Sequence, residues 1–333
     1  MRTGSLSLLA LLMMAMLVAC GGDDDGDDAD PTATTAAAVA TATMAAPEPT
    51  ATAAAAQPTA TVAAVAPATT TAAPAATATT APAPTAPPAS PTAEPLSGEV
   101  TIFAAASLTD VFEAAAEELA VLYPDLTLTF NFAGSQALVT QLSEGAPADV
   151  FASANNTQMT AAQDADVIAS DPATFTRNRL AIVVPADNPA GIATPADLAN
   201  EGVKLVLANP DVPVGAYSRD ILAAMSADAE FGADFAARVE ANVVSQESNV
   251  RDVVTKVQLG EADAGIVYVT DITADVADAV QIVEIPVAFN IIASYPIALV
   301  TDGDAALGQA FIDYILSDAG QALLAEFGFT ELE

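Results

Sequence analysis

The sequence contains no histidine and no tryptophan, one cysteine in 333 residues, and eight basic residues against 43 acidic ones. Without histidine, Ser-His-Asp and Cys-His nucleophilic catalysis, HExxH zinc sites and every imidazole general base are excluded together. With Cys20 as the sole cysteine, neither a disulfide framework nor a thiolate metal site is available. The net charge of −35 argues against nucleic acid and anionic membrane surfaces as partners. Aliphatic side chains larger than alanine are nearly absent from residues 31 to 96, a stretch of Ala, Thr and Pro that holds twelve of the 22 prolines. Such a stretch buries too little apolar surface to form a core. It reads, with the acidic run Asp23 to Asp28 before it, as an extended tether leaning toward polyproline II.

What is present begins with a targeting segment. Arg2 precedes the apolar run Leu8 to Ala19, which is short for a bilayer span and ends in Leu17-Val18-Ala19-Cys20-Gly21. This resembles a bacterial lipoprotein signal, which implies cleavage before Cys20 and a lipid on its thiol. The expected organisation is a signal peptide at 1–19, a tether at 20–96 and a folded unit at 97–333. That unit has seven basic and 35 acidic residues, so any anion it binds must be held by local dipoles against the global field.

The folded unit alternates strands with helices, which indicates an α/β class with parallel sheets. Gly98 to Leu122 reads as a strand running directly into a helix, with Ser107 as the helix N-cap and Leu108, Val111, Phe112, Ala115, Leu119 and Leu122 inward. Leu126 to Phe132 followed by Ala133-Gly134-Ser135 repeats the pattern. A third corner follows Lys204 to Ala208 at Pro213-Val214-Gly215 and offers backbone N–H groups alone. Strands that end at helix N-termini leave unpaired N–H groups, and a nearby hydroxyl completes an anion-binding corner. Taken singly, Tyr268 in AGIVYV reads first as a core tyrosine whose hydroxyl finds a carbonyl, and Val214 and Val250 as core valines. Asp149 reads as a turn or cap acid, and Arg177, Arg179 and Arg251 as paired surface cations.

Several stretches together carry a resemblance: AAASLTDVF at 104–112, FAGSQALVTQLSEGAPADVFASA at 132–154, NRLAIVVP at 178–185, VPVGAYSRDIL at 212–222, SNVRDVVTKVQLGEADAGIVY at 248–268, and YPIAL with the terminal FGF. In order and spacing they resemble the periplasmic molybdate-binding proteins of ABC importers. The resemblance implies a two-lobed type II periplasmic-binding-protein fold, with lobe 1 at about 97–181 and 292–333 and lobe 2 at about 182–291. It implies no catalysis and no cofactor, a molybdate or tungstate ligand in the cleft, and delivery to a membrane permease by a monomer tethered outside the cytoplasmic membrane. Carried over by position, the molybdate ligands are the hydroxyls and N–H groups of Ser107 and Ser135, the N–H groups of Val214 and Val250, and the Tyr268 hydroxyl. Two departures stand out: Val214 replaces the more usual alanine, and Asn155-Asn156-Thr157 replaces an acidic pair. Receptors for sulfate, phosphate or iron, and a surface enzyme or adhesion module, remain as alternatives.

Overall fold

The computed structural model describes residues 96–330 and 332. The signal segment, Cys20 and the tether up to residue 95 lie outside the described residues.

Two sheets share one long strand. In the first, β1 (Gly98–Ala105) pairs in parallel with β2 (Leu126–Ala133) on one side and with β3 (Val150–Ala152) on the other. Beyond β3, β9 (Ile292–Leu299) runs antiparallel and hands the sheet on to the N-terminal half of β4 (Ala173–Pro185). The pairing of β4 with β9 ends at Arg179, and from Leu180 onward β4 pairs instead with β7 (Ala264–Tyr268) and β8 (Val280–Val283). The second sheet continues in parallel from β7 through β5 (Leu205–Ala208) to β6 (Val243–Glu247). The polypeptide crosses between the sheets within β4, and again between β8 and β9, which gives the two lobes of the type II fold. β4 begins six residues before the run Arg179 to Pro185, because Phe175 and Thr176 are buried as part of the first sheet.

Helices cover both sheets. On the first lie α1 (Thr109–Leu122), α2 (Ser135–Ser143), α3 (Asn156–Asp164), α7 (Ala305–Leu316) and α8 (Asp318–Glu326). On the second lie α4 (Pro213–Ala227), α5 (Phe235–Ala241) and α6 (Val250–Gln258). Phe112 anchors the first lobe, packing edge-on against Phe311 at 5.2 Å between ring centroids. Val253, Val254 and Val257 present one apolar stripe of α6 to the second sheet, and Gly260 ends that helix with φ of 70°.

Two expectations for the first helix fail. Residues 106–108 form a short 3-10 turn, α1 starts at Thr109 with Leu108 as its N-cap, and the Ser107 side chain caps nothing. Leu122, expected inward, is 61 % exposed.

Candidate anion-binding site

Parallel strands deliver their C-terminal ends, and the N-termini of the helices that follow, to the same edge of a sheet. Here β1 and β2 of one lobe and β5 and β6 of the other all end at the cleft, each followed by a helical turn. The first N–H groups of those turns have no intrahelical acceptor and carry the positive end of the helix dipole. The third corner is tight: a Cβ on Gly215 would stand 2.6 Å from the Ala208 carbonyl oxygen. Only glycine lets α4 start this close to the end of β5. Arg219 braces the same corner by donating from Nη1 to the Ala208 and Gly215 carbonyls, both at 2.9 Å.

Ser107, Ser135, Val214, Val250 and Tyr268 all line one small cavity between the lobes, with about 10 Å³ of room for the centre of a water-sized sphere. The rest of its lining is Ala, Gly, Val and Pro, and no charged side chain faces it. Ser135 and Val250 are the first residues of α2 and α6, and Val214 follows Pro213 at the start of α4. The backbone N–H groups of these three positions therefore belong to helix N-termini.

The hydroxyls are held from behind. Ser107 Oγ lies 3.0 Å from Tyr295 Oη, and Ser135 Oγ accepts from the Ala154 N–H at 3.1 Å. Tyr268 closes β7 and is 1 % exposed; among the described residues its hydroxyl makes no aligned hydrogen bond, and the Tyr295 hydroxyl is its polar neighbour. The core-tyrosine reading, in which that hydroxyl finds a carbonyl, is thereby set aside. Burial pushes the phenol pKa of Tyr268 and of Tyr295 up, so both stay protonated donors at neutral pH.

Sequence reasoning did not single out Tyr295, Asn178 or Asp271. Asn178 donates to Thr270 Oγ1 at 2.8 Å and to Tyr295 Oη at 3.4 Å. Asp271 is fully buried behind the cavity, where its Oδ2 accepts from the Tyr268 N–H at 3.1 Å. Its Oδ1 sits 3.0 Å from Arg251 Nε, off the N–H line, so this contact is an ion pair and not an aligned hydrogen bond. Burial pushes the Asp271 carboxyl up to about 6 despite the attraction of Arg251.

Arg251 also pairs with Asp110 of α1, across the cleft. Burial works against its charge, but Asp271 and Asp110 outweigh that and hold its pKa above the usual guanidinium value. Two more contacts close the rim: Gln136 Nε2 donates to the Ser248 carbonyl at 2.9 Å, and Gln158 Nε2 to the Asp211 carbonyl at 3.0 Å. Gly134 approaches the same Ser248 carbonyl so closely that a Cβ there would overlap it. Asn155, one of the residues at the unusual Asn-Asn-Thr stretch, caps α3 by accepting from the Gln158 N–H at 2.9 Å, which positions that helix at the rim.

The remaining candidates lie elsewhere. Asp149 accepts from the backbone N–H groups of Thr101 and Asp304 and lines a different cavity. Arg179 pairs with Glu284, and neither it nor Arg177 or Arg251 lines the small cavity.

Comparison with known proteins gives a concordant answer. Residues 100–330 match the family described as bacterial extracellular solute-binding protein. The molybdate-binding protein ModA of Mycobacterium tuberculosis is 37% identical over 250 residues, which cover 75% of this chain and 90% of the relative. Among solved structures, the substrate-binding domain of a putative molybdenum ABC transporter from Clostridium difficile is 27% identical with a TM-score of 0.53, covering 71% of this chain and 99% of that one. The Azotobacter vinelandii periplasmic molybdate-binding protein, 16% identical with a TM-score of 0.60, covers 70% of this chain and 100% of its own, and shares the fold. This chain belongs to the bacterial extracellular solute-binding proteins, within the family of the ModA molybdate-binding proteins.

Proposed function

We propose that the protein is an extracytoplasmic receptor that captures molybdate, or the nearly isosteric tungstate, and hands it to the permease of an ABC importer. The observation that carries this reading is the Tyr268 hydroxyl, buried without an aligned partner among the described residues in a cavity that also holds two serines and three helix N-terminal positions and no charged side chain. A fully deprotonated tetrahedral dianion has only acceptor oxygens, so hydroxyls and helix N-terminal N–H groups satisfy it completely. Each charge-assisted bond contributes ~1.5–3 kcal/mol, and the closed lobes keep water from competing. No cation is needed. Within this reading Ser107, Ser135, Val214, Val250 and Tyr268 are the ligands, residues 97–333 are the binding domain, and 182–291 form the second lobe. Cys20 carries the lipid that anchors the mature monomer, with 20–96 as its tether.

Members of this family bind solutes and are not enzymes. An iron receptor is disfavoured by the same tyrosines. Tyr268 and Tyr295 stand 5.8 Å apart between ring centroids, a pair invisible as neighbours in sequence. Of the two, Tyr268 alone lines the cavity, and no carboxylate does, so the set of anionic ligands that a ferric ion would want is missing from the lining. A sulfate receptor would share the donor-only site and differ by size alone. Sulfate has shorter bonds, so donors fixed around a larger ion meet it with every hydrogen bond lengthened. Competition calorimetry at neutral pH tests the reading: molybdate and tungstate bind alike, and sulfate and phosphate bind at least about a hundredfold more weakly, a difference of ~2.7 kcal/mol. Tight phosphate binding in that assay refutes it.

A further inference from the structure

We propose that Arg251 is a latch across the cleft: anchored on Asp271 of its own lobe, it grips Asp110 of the other, and breaking that second pair sets how fast a captured anion leaves. The inference rests on reading the cavity as an anion site and adds two positioning residues, Arg251 and Asp110, that do not line it.

Arg251 is the second residue of α6, directly after Val250, and Asp110 is the second residue of α1, three positions after Ser107. The pair therefore joins two of the corners that line the cavity, one from each lobe. Its inner end is held by Asp271, which is fully buried three residues after Tyr268. There Oδ2 accepts from the Tyr268 N–H at 3.1 Å, and Oδ1 lies 3.0 Å from Arg251 Nε. Among the described residues Arg251 is the cation paired with Asp271, and a buried carboxylate left without one is strongly disfavoured. Asp271 follows β7 and so belongs with α6 to the second lobe, and their contact survives opening. The contact from Arg251 Nη2 to Asp110 Oδ2 spans the lobes, and their separation must break it. The guanidinium serves the two carboxylates from different nitrogens, which its planar fork allows and a lysine ammonium, a single point of charge, does not.

Two other side chains reach across the cleft, Gln136 to the Ser248 carbonyl and Gln158 to the Asp211 carbonyl. Both contacts are neutral and exposed, and water replaces such bonds at little cost. The Arg251–Asp110 pair is charge-assisted, and its side chains are only 26 % and 35 % exposed, so water and salt screen it weakly. Of these cross-cleft contacts it is the one that resists opening most. Asp275 supplies a comparison. Its carboxylate also adds to the field that keeps Arg251 charged, but it lies between β7 and β8 on Arg251's own lobe and acts alike on the open and closed forms.

Asp110→Asn isolates the latch, because it keeps the size of the side chain, leaves Arg251 on Asp271 and removes the cross-cleft charge pair. Charge alone predicts the opposite outcome: deleting an acid beside the cleft weakens the repulsion of a dianion and should tighten binding. The latch predicts that molybdate leaves the full chain about fivefold faster or more, with association unchanged or faster, in stopped-flow tyrosine fluorescence. Asp275→Asn deletes the same charge without touching the cross-cleft pair and should release molybdate at the parent rate. Arg251→Lys keeps Asp271 paired and should release as fast as Asp110→Asn, with the double variant no faster than either, since both substitutions remove one contact. General loosening of the fold would slow association as well as speed release and would add across the two substitutions, and that pattern overturns the proposal. So does release from Asp110→Asn at the parent rate, or equally fast release from Asp275→Asn. If Asp110→Asn fails to fold by circular dichroism, Arg251→Lys decides by the same rate. A parent that binds no molybdate overturns receptor and latch together, whereas a parent that binds it and releases it no more slowly than Asp110→Asn loses the latch and keeps the receptor.

Discussion

Tyr268 shows how a single hydroxyl links burial to ligand chemistry. A buried hydroxyl with no partner costs roughly 1–3 kcal/mol in the free protein, and an anion oxygen recovers that cost on binding. Tyr268→Phe should therefore lower molybdate affinity about ten- to a hundredfold while leaving the melting temperature of the free protein unchanged or higher, as calorimetry and thermal denaturation would report. Ser135→Ala should lose similar affinity but also destabilise the free protein, because the Ala154 N–H then loses its acceptor. Asp271 carries a prediction in pH. Its folded pKa of about 6 lies above the unfolded value of 3.8, so its contribution favours folding below about pH 4 and is lost as pH rises through 6. Relative to Asp271→Asn, the parent should lose up to roughly 3 kcal/mol of stability across that window, read from urea midpoints at each pH. At this scale the sequence disclosed only what local patterns reveal. Ser107, Ser135, Val214, Val250 and Tyr268 sit in continuous motifs. Tyr295 stands 188 residues from the serine whose hydroxyl it contacts, and no local spacing can express that.

At the scale of elements, the site is four strand ends meeting four helix starts, and the cleft closes only if backbones approach closely. Gly134 has φ −61° and ψ 137°, a conformation any residue adopts, so Gly134→Ala should not strain the open protein. In the closed form the new methyl meets the Ser248 carbonyl. The variant should keep or slightly raise its melting temperature without ligand and lose at least about tenfold in molybdate affinity, and unchanged affinity would show that closure does not need this contact. Corners with strong hydrophobic runs on both sides were legible: the strands from Gly98, Leu126 and Ala264 and the stripe of α6 follow plain periodicity. The elements that escaped notice bury little. β6 has no fully buried residue, and α5 buries only Phe235 and Val239 across seven residues. The N-terminal half of β4 mixes polar and apolar residues because it is shared between a core face and the hinge, so its pattern does not declare a strand.

At the scale of the molecule, every strand and helix of the two lobes falls within residues 98–330. A fragment spanning 97–333 should fold and bind molybdate as the full chain does, and a loss beyond about tenfold, ~1.4 kcal/mol, would move the domain boundary. The cavity has no basic side chain, and the unit around it has seven basic residues against 35 acidic ones. An arriving dianion is therefore repelled until it is inside, and capture is penalised in the encounter rather than in the bound state. Added salt screens that approach over a Debye length of about 10 Å at 0.1 M, yet it barely reaches donors enclosed between the lobes. In stopped-flow traces the association rate constant should climb with ionic strength while the dissociation rate constant stays nearly constant, the opposite of a site that draws anions in with lysine and arginine.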